Sequence, residues 1–122
     1  MSLVELPREY NFIVSIYEYG CKCRNVSIRV KTMLECSDDC DIRIVKMVFF
    51  RPVYCSSRST LYEPVCTMFL YVYGSRIVAV GNSCDDVAKY IVNKYHGYTI
   101  LFVDEYGNVR DVFRRIGKVD HM

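Results

Sequence analysis

The sequence predicts an α+β fold: a mainly antiparallel sheet of about six strands, then a helix after Gly81 and a second, C-terminal helix. Three observations lead there. Apolar and polar residues alternate with period two along several stretches before Gly81. Gly74-Ser75 stands between two apolar runs, a type II′ hairpin signal. Beyond Gly81-Asn82 the apolar residues change to helical spacing.

In Tyr10 to Tyr19, Phe12, Val14 and Ile16 share one face and Asn11, Ser15 and Tyr17 the other, which predicts a half-buried strand ended by Gly20. Val26, Ile28, Val30, Thr32 and Leu34 alternate with Ser27, Arg29, Lys31, Met33 and Glu35, giving the cleanest strand pattern in the chain. Ser37 to Asp41 has turn composition. Ile42 to Tyr54 is the third strand. Its alternation breaks at Ile44-Val45, so either it bulges there or its later half is buried on both faces. Pro52 marks an edge or an end.

Cys55 to Glu63 reads as a loop, and Val65 to Tyr73 and Arg76 to Val80 as the two arms of the Gly74-Ser75 hairpin. Ser83 is the expected helix N-cap, with Asp85 and Asp86 in the first turn. Val87, Ile91, Val92 and Tyr95 form the apolar stripe, and Gly97 closes the helix. Tyr98 to Val103 is nearly all apolar, as suits a strand inside a sheet. Asp104 to Asn108 looks like a hairpin turn, yet Val109, Val112, Phe113 and Ile116 follow helical spacing between Asn108 and Gly117. The expectation for this last segment is a helix.

Residues 1–122 are read as a single domain. Hydrophobic residues make up 52% and charged ones 25%, a globular composition. No signal-like or membrane-spanning run is present, which points to an intracellular protein or one inside a virus particle. A formal net charge of +2 argues against a histone-like coat for nucleic acid but leaves room for a local basic patch. There are 11 Tyr, no Trp and no Gln. Low Gln with abundant Val, Ile, Tyr and Arg fits a hyperthermophilic archaeon or one of its viruses, although five Met and seven Cys run against that trend.

Four cysteines, Cys21-x-Cys23 and Cys36-x3-Cys40, offer the ligand number of a structural zinc at an unusual spacing. Disulfides are the plainer expectation, with Cys55 and Cys66 stapling a loop and Cys36 and Cys40 flanking a turn. Buried free thiols suit Cys66 and Cys84. Cys84 as a nucleophile lacks a partner, because His96 lies at the far end of the same helix. Ile100 to Glu105 has the outline of a Walker B strand, but no phosphate-cradling G-x4-G-K-[ST] loop precedes it. No cofactor is expected, and no catalytic residue is assigned.

The basic residues carry the functional expectation. Arg29 and Lys31, with Arg43 and Lys46, lie in two acid-free stretches expected to pair as neighbouring strands. Arg114 and Arg115 would add the outer face of the last helix. Basic and aromatic side chains on a sheet suit single-stranded DNA or RNA, through phosphate contacts and base stacking. The first expectation is therefore a non-enzymatic nucleic-acid-binding protein. The second is a self-associating protein, a homodimer using its tyrosines, among them Tyr62, Tyr71 and Tyr73. The third is a metal-dependent hydrolase using Asp104 and Glu105.

Overall fold

The computed structural model describes residues 2–5, 12–22, 28–36, 41–56 and 59–113. They form one seven-stranded sheet in sequential order. The strands are β1 (Ser2–Glu5), β2 (Ile13–Lys22), β3 (Asp41–Ser56), β4 (Ser59–Tyr73), β5 (Arg76–Gly81), β6 (Thr99–Val103) and β7 (Val109–Phe113). Helix α1 (Ile28–Met33) joins β2 to β3, and α2 (Asp85–Lys94) joins β5 to β6. Every neighbouring pair is antiparallel except β5 and β6. Parallel neighbours need a crossover, and α2 supplies it.

The two helices cover opposite faces. The α2 face is the larger core. Val87 and Ile91 of α2, with its C-cap Tyr95, pack on Val14, Val45, Met47, Phe49, Leu70 and Ile77 among others. Phe49 is edge-on to Phe12 at 5.9 Å and to Tyr90 at 5.7 Å between ring centroids. Such pairs add about 0.5–1.5 kcal/mol each beyond area burial. On the other face, Val30 and Leu34 cover Ile42, Val78 and Val103.

The α1 segment departs from the predicted strand, and the reason lies in its spacing. Val26, Val30 and Leu34 recur every four residues, so the stretch obeys a helical period as well as period two. In the structure, Val30 and Leu34 are buried on one side of a helical turn, with the Leu34 N–H donating to the Val30 carbonyl at 3.0 Å. Glu35, with φ of 55°, then leaves the helix, and its carboxylate receives a 2.6 Å hydrogen bond from Arg76 Nη1.

The alternation break at Ile44-Val45 is now explained. Ile44 faces the α1 cluster and Val45 the α2 core, so the strand is buried on both sides at that point. The register shift falls later, between Phe49 and Phe50. The Cys55–Glu63 stretch is not a loop: β3 runs on to Ser56 and β4 starts at Ser59. Pairing of β3 with β2 ends at Phe50, and pairing of β4 with β5 begins at Met68. Among the described residues, the β3–β4 hairpin beyond these points is a two-stranded arm. Pro52 and Pro64 both lie on it, each strand there having one neighbour, as a residue without an N–H requires.

The Gly74-Ser75 hairpin is present, with positive φ at Gly74 (59°) alone. The helix N-cap is Cys84 and not Ser83, and its side chain makes no capping bond. Tyr98 to Val103 holds as an interior strand, flanked by β5 and β7. The expected C-terminal helix is overturned: Val109–Phe113 is the edge strand β7, antiparallel to β6. The Asp104–Asn108 turn decides it. Asp104 Oδ1 accepts from the N–H groups of Tyr106 (2.9 Å) and Asn108 (2.8 Å), and Gly107 takes φ of 88°. This turn sends the chain back along β6, where backbone pairing outweighs helical spacing.

Candidate binding face

Tyr17 of β2, Lys46 of β3 and Phe69 of β4 are directly opposite one another in register, and Val80 of β5 continues the row. The row lies on the α1 side of the sheet, because Ile44, two residues before Lys46, packs in the α1 cluster. The helix covers the sheet beside the row and leaves Tyr17 36% exposed. Lys46 Nζ sits 5.7 Å from the centroid of the Tyr17 ring and 5.8 Å from that of Phe69. A desolvated ammonium between two rings gains from both quadrupoles. It also holds the two rings apart, with a positive charge between them.

Next to this row runs a groove of about 420 Å³ lined by Val65, Thr67, Phe69, Val80, Asn82 and Glu105. A smaller hollow of about 210 Å³ adjoins it and shares Val80 and Glu105, with Arg29 and Val103 among its walls. Its floor is apolar because β5 and β6 are sandwiched between helices and carry branched side chains on both faces.

The four predicted basic residues among those described, Arg29, Lys31, Arg43 and Lys46, do not form one stripe. Arg29 and Lys31 belong to α1 and not to a strand next to β3. Arg29 Nη1 donates to the Tyr106 carbonyl at 3.1 Å, tying α1 to the β6–β7 turn. Arg43 and Lys46 are three residues apart on one strand, so they point to opposite faces. Arg43 is on the α2 side, 2.9 Å from the Glu18 carboxylate. Arg114 and Arg115 lie outside the described residues. Two further arginines are paired with acids, Arg51 with Glu63 at 2.7 Å and Arg76 with Glu35. Lys46 is the predicted residue placed on the aromatic row. The sequence reading missed Phe69, although it placed Tyr71 and Tyr73 on a common face, and period two puts Phe69 on that same face. Of those two tyrosines, Tyr71 is partly covered by the α1 cluster and Tyr73 is 36% exposed.

Cys66 and Cys84 are free thiols, so the expected Cys55–Cys66 staple is not formed. Cys36 is disulfide-bonded, and Cys40 lies outside the described residues. The expected zinc set Cys21, Cys23, Cys36 and Cys40 likewise falls partly outside them.

Asp104 is committed to its own turn. Backbone N–H groups donated by Asn108 and Tyr106 hold its carboxyl below the usual value of 3.8. Among the described residues no group of three or more His, Cys, Asp or Glu side chains comes together that could hold a metal ion. Among the described residues, no third acid joins Asp104 and Glu105. No helix among the described residues is long and apolar enough to cross a membrane.

Fold and face together define a mixed-sheet α+β protein with helices on both sides and an aromatic–lysine row beside one of them. Comparison with family models, with curated proteins and with solved structures finds no match for this chain.

Proposed function

We propose that the protein is a non-enzymatic binding protein whose partner is single-stranded nucleic acid, held on the face that carries Tyr17, Lys46 and Phe69. The observation that supports this reading is the row itself: an ammonium between two aromatic rings on adjacent strands. Single-stranded nucleic acid is bound by just this pairing of a cation for phosphate with rings for bases. With few cations on the face among the described residues, the salt dependence is shallow, about 0.7 in the log–log slope for each phosphate neutralised. Filter binding of single- and double-stranded DNA and RNA at low salt tests it. Retention of single strands in preference to duplex is expected, and no retention of any of the four removes the reading.

A second reading rests on a different observation. On the two-stranded arm Leu61 is 59% and Tyr62 50% exposed, on opposite faces of the ribbon. An isolated two-stranded ribbon is marginal in water, so an arm of this kind gains from a second copy of the chain against its faces. Pro52 and Pro64 disfavour addition of a strand at its edges. Light scattering at high protein concentration tests this, and a strict monomer counts against it.

A further inference from the structure

Among the described residues Cys66 and Cys84 are free thiols, and both lie at one end of the sheet, on the α2 side. Cys66 is opposite Phe49 in register and packs against the α2 core, where Phe49 in turn meets Tyr90 of the helix. Gly81, the last residue of β5, is opposite Met68. Gly81 leads within three residues to Cys84, the N-cap of α2. The approach at this point is close: a Cβ on Gly81 would stand 2.5 Å from the Thr67 carbonyl oxygen and 2.6 Å from Met68 Sδ. Cys84 is also three and seven residues before the buried Val87 and Ile91, on the helical stripe turned to the sheet. Cys84 is exposed, so a small reagent reaches it from solvent.

We propose that Cys66 and Cys84 are a thiol-oxidation site, closing a reversible disulfide that clamps the N-terminal end of α2 to β4. The oxidant class is a low-molecular-weight disulfide. The exposed Cys84 attacks as a thiolate, cleaving the reagent's S–S bond and releasing one small thiolate. Cys66 then gives up its proton to solvent and attacks Cys84 Sγ. This releases the second small thiolate and forms the Cys66–Cys84 bond. In sum, two protein thiols are oxidised and one small disulfide is reduced to two thiols.

The order of attack follows from the surroundings. Burial, and then the neighbouring Cys84, push the Cys66 thiol up to about 11. Cys66 is therefore the resolving thiol and Cys84 the first to react.

The test uses the full chain equilibrated with glutathione buffers from reducing to oxidising, followed by alkylation and peptide mapping. Alkylation of Cys66 and Cys84 should fall together, by roughly tenfold or more at the oxidising end, as one cross-linked species appears. In Cys66→Ser, Cys84 should instead accumulate as its glutathione adduct. In Cys84→Ser, a change at an exposed position, Cys66 should stay alkylated. The proposal is overturned if Cys84 of the parent chain keeps glutathione while Cys66 remains alkylated, or if either thiol pairs with a different cysteine.

Discussion

Arg29, on a helix near the start of the chain, donates a 3.1 Å hydrogen bond to the carbonyl oxygen of Tyr106, in the turn between the last two described strands. The bond closes the α1 layer over β5 and β6. It also explains the glycine beside it. Gly107 has φ of 88°, and a Cβ there would run into the Arg29 guanidinium.

Gly107→Ala should therefore destabilise the protein by about 1–3 kcal/mol, from backbone strain together with displacement of Arg29. Arg29→Ala in the same background should recover part of the loss by removing the clash, so the two changes are not additive. Urea unfolding of both single variants and the double variant measures the coupling.

On the opposite face, α2 is held mainly by Val87, Ile91 and Tyr95. Ile91→Ala should cost about 2–5 kcal/mol, through lost burial and the cavity left between helix and sheet. The urea midpoint measures it.

Nucleic-acid binding should separate two lysine and arginine positions that look equivalent in the sequence. Lys46→Ala should weaken single-strand binding and lower the salt slope by about 0.7. Arg43→Ala, on the α2 side and paired with Glu18, should leave both unchanged. Fluorescence anisotropy across a salt series reads both quantities. Equal losses in the two variants would place the contact elsewhere.

Two groups predict a decline of stability at alkaline pH. Burial raises Cys66 from 9.0 to about 11 and, as the larger cause, Tyr95 from 10.0 to about 12. Both hold their proton more tightly in the folded state. Their contribution is complete below pH 9 and is lost as pH climbs from about 9 to 12. Urea midpoints of the reduced protein over that range should fall, and Cys66→Ala should flatten the part between pH 9 and 11.

Asp104 predicts the opposite dependence at the acid end. Its lowered carboxyl favours the folded chain above the usual value of 3.8 and stops doing so as pH drops through the folded value. Asp104→Ala should unfold at lower urea than the parent at neutral pH, and the gap should narrow as pH falls below 3.8. A gap that stays constant with pH would mean that the carboxylate charge is not what holds the turn.

The sequence by itself determined the elements whose patterns admit one period. The stripe Val87, Ile91, Tyr95 has only a helical reading, and α2 is there. Gly74-Ser75 between apolar runs has only a hairpin reading, and Tyr98 to Val103 is the interior strand its composition requires. Tertiary structure decided the segments that satisfy two periods. Val26, Val30 and Leu34 fit strand and helix alike, and the need to cover Ile42, Val78 and Val103 selects the helix. Val109 to Phe113 has helical spacing, but the exposed edge of β6 offers backbone partners and the Asp104 turn aims the chain at them. The same holds for the binding face. The sequence showed which residues are basic and which aromatic, whereas strand register put Lys46 between Tyr17 and Phe69. Register is a long-range property, fixed by which strands pair, and no local pattern within 41–56 encodes it.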